Sequence, residues 1–523
     1  MNIFPLDGKH LSRNHKPIFE LSSINLVILL AALATFLIHL YSAPGYGFFG
    51  DELYTIALSR HLAFGYVDLP PLVPALVALS RAVLGDSLFA LHIVPALAGS
   101  VTLVFVCLIA KELGGKRFAV MLSALGFIVV PIWLSVDSIF CYDCIDQLAL
   151  AAFLYALVHF LRTGKRKLWL LLGLLAGIAC LAKVTILFLG PGFVVALLAS
   201  RYRRDLLTPW PWLGALLCLV VIAPYLLWQI ANHWPTVEYW TNYGVGRVYQ
   251  ASVTEYLISI LVYMNPLLLP LWIVGLYRLF RPFDRTNYAF LGVMFIITLV
   301  LMFLLHAPAR MLAELFMPLL AAGAVLVEEK TSGRRWEKGA KLAATVYLLA
   351  GGVLAVPLSL PIVPPDQLSA FADPSSNLRT RDFNGGSSQY SPLLTGRLRW
   401  DELVQDVAQV YEELPPQDRA IAGIYADWYA SAGAIDLLGP QYGLPHAVSG
   451  ALTYYLWGAG YSWDVMIVVT DKSNELAVFF DECTLTATAR YEYDLPVGHP
   501  NFYVCRNPKI SADKIWSSLE LYR

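Results

Sequence analysis

The residues best suited to chemistry in this sequence are a few acids and isolated cations, set in a chain otherwise poor in charge. The first group is Phe48-Phe49-Gly50-Asp51-Glu52-Leu53-Tyr54, where adjacent carboxylates open a helical stretch. A carboxylate at a membrane interface is suited to act as general base toward an incoming hydroxyl. The plainer reading is helix capping, because acids are favoured at a helix N-terminus. Asp68, in Tyr66-Val67-Asp68-Leu69-Pro70-Pro71-Leu72, reads as a metal ligand or substrate contact, or as a turn residue ahead of two prolines. Asp143 and Asp146 lie three apart and share one helix face. Asp146 stands at the rim of the hydrocarbon, where an ionisable group is a functional candidate by default and an N-cap in the plainer reading. Lys183, between two apolar stretches, either snorkels to the interface or binds a lipid-linked phosphate; Arg247 and Arg310 suit the same role.

The elements that position these residues are membrane spans. The 523 residues are 58% hydrophobic and 14% charged, against about 25% charged in a soluble chain. Runs approaching the ~20 residues that cross a bilayer recur at 22–41, 87–111, 118–136, 145–161, 168–182, 185–200, 211–231, 256–277, 288–305, 311–327 and 342–360. The stretch 71–84 is too short and is expected to lie on the surface as a helix. The stretch from Glu52 to Leu62 is expected to be a second surface helix, with Tyr54, Leu58 and Leu62 toward apolar surroundings.

Lys and Arg gather in alternate loops, around Lys9 to Lys16, Lys111 to Arg117, Arg162 to Lys167, Arg201 to Arg204, Arg278 to Arg285 and Lys330 to Lys341. The other loops hold only Arg60, Arg81, Lys183, Arg247 and Arg310. The basic set is therefore expected on the cytoplasmic side and all the candidate acids on the outer side. The run 24–38 is expected to be an uncleaved signal anchor.

After about residue 362 charges return and apolar runs shorten to strand length. Strands are expected at 464–470 and 501–506, and an amphipathic helix at 400–414. The expected division is a cytoplasmic segment 1–21, a transmembrane domain 22–362 and an extracytoplasmic α/β domain 363–523. Cys141/Cys144 and Cys483/Cys505 fall in segments where disulfides persist, and each pair is left open. A CxxC spacing without a second Cys or His pair is weak evidence for zinc.

Taken in order, several blocks resemble the GT-C membrane glycosyltransferases of the protein O-mannosyltransferase type, above all the bacterial branch with the lipid A aminoarabinose transferases and galacturonosyltransferases. They are FGDELY at 49–54, HLAFGYVDLPPL at 61–72, FCYDCIDQL at 140–148, CLAKVTILFLGPG at 180–192, PYLLWQIANHWPTVEYW at 224–240, NPLLLPLWIVGLYRL at 265–279 and AGAIDLLGPQYGLPHAVSGALTYYLWG at 432–458. The resemblance implies a polytopic α-helical GT-C fold of about 11–13 transmembrane helices in the plasma membrane. It implies that Asp51 is the catalytic base and Glu52 its motif partner. Asp68 would contribute to a metal site, Asp146 would be the second-loop aspartate with Asp143 as its neighbour, and Lys183 would lie near the donor phosphate. His306-Ala307-Pro308-Ala309-Arg310-Met311 departs from the Lys and paired tyrosines usual at that turn, with Arg310 in place of the cation.

The implied reaction moves a sugar, with inversion, from a polyprenyl-phosphate donor to an acceptor hydroxyl of an envelope glycolipid, polysaccharide or protein. It requires no cofactor and leaves room for a divalent metal. The sequence has no Gly-rich phosphate loop, and nothing in it points to nucleic acid. The competing class is a multi-pass transporter or lipid flippase, whose ionisable groups usually lie near the bilayer midplane. Here the acids gather at the ends of spans, with His39 and Glu314 as the main exceptions.

Overall fold

The computed structural model describes residues 23–245, 251–281, 288–370, 380–381, 387–388, 391–470, 475–491 and 499–522. The apolar runs form α1 (Ser23–Ser42), α2 (Gly50–Arg60), α3 (Leu72–Leu84), α4 (Leu88–Glu112), α5 (Arg117–Ile128), α6 (Pro131–Val136), α7 (Tyr142–Thr163) and α8 (Leu168–Ala182). They continue as α9 (Ile186–Ala199), α10 (Pro209–Ala231), α11 (Pro235–Val245), α12 (Val253–Met264), α13 (Leu269–Phe280), α14 (Ala289–Leu304), α15 (Phe316–Thr331) and α16 (Glu337–Ser359).

Helix occurs at each of the eleven expected span positions, but eleven straight crossings do not. Among the described residues six helices are long and apolar enough to cross a bilayer, or up to eight if each of two bent pairs is one span. The remaining apolar stretches are helices of 10–17 residues. One bend, of 93°, separates α12 from the next helical segment at Asn265-Pro266. Asn265 has φ +67°, a conformation Asn tolerates better than most residues, and the proline after it supplies no N–H. The Asn265 side chain accepts from the Leu267 amide at 3.1 Å and donates to the Val129 carbonyl at 2.9 Å, so the broken helix keeps its polar groups paired.

Burial sorts the long helices into layers. α1 and α10 are each only 17% buried, and Leu29, Leu30, Leu216 and Val220 project from them, a pattern that fits lipid rather than water. By contrast α7 is 78% buried and Ala309–Thr331 89% buried, which makes them the centre of the bundle.

The C-terminal domain contains α17 (Trp400–Glu412), α18 (Tyr429–Leu438) and α19 (Ala512–Ser517). Its sheet has strands β1 (Gly423–Ala426), β2 (Ala447–Val448), β3 (Val465–Thr470), β4 (Phe480–Thr488) and β5 (Asn501–Pro508), in the order β2-β1-β3-β5-β4. β1 runs parallel to β2 and β3, and β5 is antiparallel to both β3 and β4. Every residue of β3 is buried, as a central strand covered on both faces requires. The expected helix and both expected strands are present. Cys483 and Cys505 stand opposite each other on β4 and β5 and form a disulfide, whereas Cys141 and Cys144 are free and buried.

α2 is not the half-exposed surface helix that its spacing suggested. Residues Glu52 to Ser59 are all buried, because α18 packs across it; Leu62, expected to face inward, is instead 61% exposed. The approach is close enough that a Cβ on Gly433 would lie 2.8 Å from the Leu53 carbonyl carbon. Gly433→Val therefore forces α2 and α18 apart. It should lower stability by about 1–3 kcal/mol, the usual cost of overpacking, read as a lower thermal midpoint of the detergent-solubilised protein.

Candidate active site

The site is built where the start of α2, the loop before α7 and the start of α18 converge. Gly50 begins α2 with Ala430 and Trp400 packed against it, and this puts the Asp51 carboxylate among phenol groups. Tyr142, the first residue of α7, donates to Asp51 Oδ2 at 2.8 Å. Tyr429, the first residue of α18, donates to Asp51 Oδ1 at 3.0 Å. Burial raises the Asp51 carboxyl above its ordinary range, and the two phenols and Arg310 partly offset that rise. The result is a carboxylate made more basic than in water and held in a fixed orientation.

Glu52 has a different position. Its Oε2 accepts from the Phe49 amide at 2.8 Å, the backward reach of a helix-capping carboxylate. Its Oε1 meets His92 Nε2 at 2.9 Å and accepts from the Phe140 amide at 2.5 Å. The other His92 nitrogen faces the Ala43 carbonyl at 3.1 Å. The His92 ring is thus held between the Ala43 carbonyl and the buried Glu52 carboxylate. Burial alone would raise Glu52, but His92, Arg397 and the Phe49 amide outweigh it and hold the carboxyl low. Both oxygens are engaged, and the side chain fixes the start of α2 beside Asp51. The capping reading holds for Glu52 and not for Asp51.

Asp68 accepts from Tyr54 at 2.7 Å, and burial pushes its carboxyl up to about 7. Tyr54 in turn packs against Tyr429, the rings tilted by 50° with centroids 4.7 Å apart, and accepts from the Thr453 amide at 3.2 Å. This surrounding of phenols and an amide does not suit a metal ligand. Among the described residues no three His, Cys, Asp or Glu side chains are grouped to hold an ion. Asp68 and Tyr54 thus form a hydrogen-bonded link between the loop 66–68 and the C-terminal domain.

The second acidic loop and the Lys183 turn do come together. Asp143 and Lys183 form a close ion pair, and Lys183 Nζ lies 4.8 Å from the Tyr142 ring centroid. Asp143, Asp146, Lys183, Thr185, Arg310 and Glu314 line one cavity beside them, about 20 Å³ in volume and thus room for about one water. Asp146 is 3% exposed, and its Oδ1 has no hydrogen-bond partner in the structure. Arg310 acts electrostatically on Asp51 and Asp143 and so joins the two halves of the site. Arg247 lies outside the described residues.

Three participants were missed from the sequence. Tyr142 lay beside a residue already singled out, and its place next to Asp143 was the available signal. Tyr429 and Arg397 belong to the C-terminal domain, and no local pattern connects them to residue 51. Arg397 is 1% exposed and donates to the Ser138 carbonyl and hydroxyl at 3.0 and 2.6 Å, so it clamps the loop that carries Phe140.

Residues 68–228 match the family described as dolichyl-phosphate-mannose-protein mannosyltransferase. That stretch holds Asp68, Asp143, Asp146 and Lys183, and lacks Asp51 and Arg310. An undecaprenyl phosphate-alpha-4-amino-4-deoxy-L-arabinose arabinosyl transferase of Pseudomonas savastanoi pv. phaseolicola is 27% identical over 183 residues, 34% of this chain and 33% of that protein. The corresponding protein of Pseudomonas paraeruginosa is 29% identical over 187 residues, again 34% of this chain and 33% of the relative. The chain thus spans about a third of the length of the curated relatives it matches. The fold match is far wider. ArnT from Cupriavidus metallidurans bound to undecaprenyl phosphate superposes with a TM-score of 0.56 at 15% identity, over 92% of this chain and 97% of that one. Its apo state gives 0.54 at 14% identity over the same shares. The chain is a multi-pass membrane protein with the ArnT fold.

Glu52→Gln removes the carboxylate that His92 and the Phe49 and Phe140 amides share in a place closed to water. Breaking a buried pair in this way costs about 3–5 kcal/mol. The expected readout is a large drop in the unfolding midpoint of the purified protein, with Asp51→Asn changing it much less.

Proposed function

We propose that this chain, a GT-C-fold membrane protein of the PMT/ArnT type, is a glycosyltransferase that moves a sugar from a polyprenyl-phosphate donor to an acceptor hydroxyl. The observation that carries this reading is the arrangement around Asp51. One carboxylate, raised by burial and aimed by Tyr142 and Tyr429, stands next to a cluster of cations and acids at the ends of spans. The match of the fold to an ArnT whose structure was determined with undecaprenyl phosphate supports the donor class.

The acceptor oxygen attacks the anomeric carbon while the bond from that carbon to the donor phosphate oxygen breaks. The electron pair of the broken bond leaves on the polyprenyl phosphate, and the acceptor proton passes to Asp51. Phosphate is a good leaving group, so the site needs positive charge near the departing oxygen more than a general acid. Lys183 and Arg310 supply that charge, with Arg247 as a further candidate. Lys183 is paired with Asp143 in this structure, and the space between them is too small for a phosphate. Donor binding therefore exchanges one anion for another on the same ammonium, and Asp143 moves aside. Asp146 and Glu314 balance the remaining charge. The reaction needs no redox or nucleotide cofactor, and the donor set at Asp68 gives no reason to add a metal.

The distribution of Lys and Arg supports an orientation with the candidate site and the domain 363–523 on the outer face of the plasma membrane and the segment 1–21 in the cytoplasm. The acceptor is then an envelope glycolipid, polysaccharide or protein.

Asp51→Asn should remove transfer while leaving membrane insertion intact. The measurement is mass spectrometry of envelope glycolipids and glycoproteins from cells carrying the variant, the wild type or no copy. A sugar-modified species that depends on the chain but survives in the variant would rule out Asp51 as the base. A second outcome follows from the sign of the shift. Activity should fall as acid protonates Asp51, at a pH above the ordinary carboxyl range. Tyr142→Phe removes a hydrogen bond that favours the carboxylate, so the acid limb of the pH–rate profile should move further toward neutral pH.

A further inference from the structure

A second cavity, of about 500 Å³, opens at the far end of α2, between that helix and the C-terminal domain. This is within the size range of a small-molecule site. Its walls are largely apolar, from Ala57, Ile435, Leu444 and Val448 among others, but three basic side chains meet at its mouth: Arg60, His61 and His446. All three are exposed, so their heads are available to a ligand. Each is also held in place. Arg60 Nη1 donates to the Asp436 carbonyl at 2.9 Å. His61 stacks on Trp457 with centroids 4.2 Å apart, and His446 stacks on Tyr461 at 4.8 Å.

The acid at this cavity is already engaged. Asp436 accepts from the Ala447 amide at 2.8 Å and from Tyr454 at 2.7 Å, one bond to each oxygen. Its charge acts on Arg60, His61 and His446 from a distance. Asp86, near Arg60, is likewise held by Arg81 at 2.5 Å. The mouth thus combines three fixed donors with carboxylates that already have partners, a composition that selects anions.

We propose that this cavity is an acceptor subsite that holds an acidic group, a carboxylate or a phosphate, on a saccharide. The inference rests on the glycosyl-transfer reading above. α2 gives the geometric reason: it carries Asp51 at one end and Arg60 at the other, about 13 Å apart along the helix at the usual rise of 1.5 Å per residue. An acceptor fixed by its acidic group in this cavity must therefore span about that distance to bring its hydroxyl to Asp51. The apolar wall suits the carbon face of a sugar ring.

The test uses the full chain in detergent and saturation-transfer NMR with glucuronate, glucose 1-phosphate and glucose, plus inorganic phosphate as a competitor. The acidic sugars should bind and glucose should bind at least about tenfold more weakly. Binding by glucuronate alone identifies a carboxylate acceptor; binding by glucose 1-phosphate with displacement by phosphate identifies a phosphorylated one. Arg60→Gln should weaken the acidic sugars about tenfold, and Arg60→Lys, which keeps the charge, should restore most of the affinity. Burial lowers His61, with Arg60 and His446 adding to that effect and Asp436 opposing it, so the second positive charge appears only below the ordinary range for histidine. Affinity in the wild type should therefore rise as the pH falls below about 6.5, and the double variant His61→Gln/His446→Gln should lose that rise. Equal binding of glucose, or acidic-sugar affinity unchanged in both Arg60→Gln and the double variant, would overturn the subsite. Neither result bears on Asp51→Asn, which tests the transfer reading separately.

Discussion

The Glu52 carboxylate takes three protein contacts in a place that water does not reach, and the geometry of the whole site depends on them. Through Phe49 it fixes the first turn of α2, through His92 it fixes α4, and through Phe140 it fixes the loop that leads into Tyr142. Arg397 closes the arrangement from the C-terminal domain by holding Ser138 in that same loop. A buried charge is costly unless paired, so removing one member strands the others. The pairing also has a geometric consequence. Asp51 and Glu52 are adjacent in sequence and project from α2 about 100° apart, so anchoring one oxygen pair leaves the other carboxylate free to face Tyr142 and Tyr429.

The sequence contained most of the transmembrane architecture and little of what covers it. Hydropathy placed the helices, and the alternation of Lys and Arg gave a consistent side for the acids. Asp143, Asp146, Lys183 and Arg310 were visible as ionisable groups that an apolar chain has reason to avoid, and they do meet. What spacing could not show was the partner of each element. α2 has the pattern of a half-buried helix when read alone, and only the contact of Gly433 with the Leu53 backbone explains why it is covered on all sides. Tyr429 and Arg397 stand more than three hundred residues from the acids they serve, and neither has a local signature. Asp68 had no visible partner either: its neighbours in space are Tyr54 and, through that phenol, the segment around Thr453.

Charge in the second half of the site is balanced within the protein. Lys183 and Arg310 face Asp143, Asp146 and Glu314 around a space that admits about one water. Such a cluster is stable with no ligand bound, because every cation has an anion near it. It also sets the terms for an incoming phosphate, which must compete with Asp143 for Lys183. An anion binds well there only if the displaced carboxylate finds another partner or a proton.

The C-terminal domain is therefore part of the site and not an appendage to the membrane bundle. It supplies Tyr429 to Asp51, Thr453 to the loop that carries Asp68, and Arg397 to the loop before α7. The aromatic series Tyr429, Tyr54, Tyr454 and Trp457 continues from the Asp51 carboxylate to the far end of α2, with successive centroids 4.7, 6.3 and 4.6 Å apart. Rings packed in this way are rigid, and they hold both ends of α2 against one surface. A displacement of the domain would then move the two Asp51 hydrogen-bond partners unequally, because Tyr142 belongs to the bundle and Tyr429 to the domain. The basicity of Asp51 is thus tied to the seating of the C-terminal domain, and whatever fills the space between α2 and that domain acts on the carboxylate through the helix that joins them.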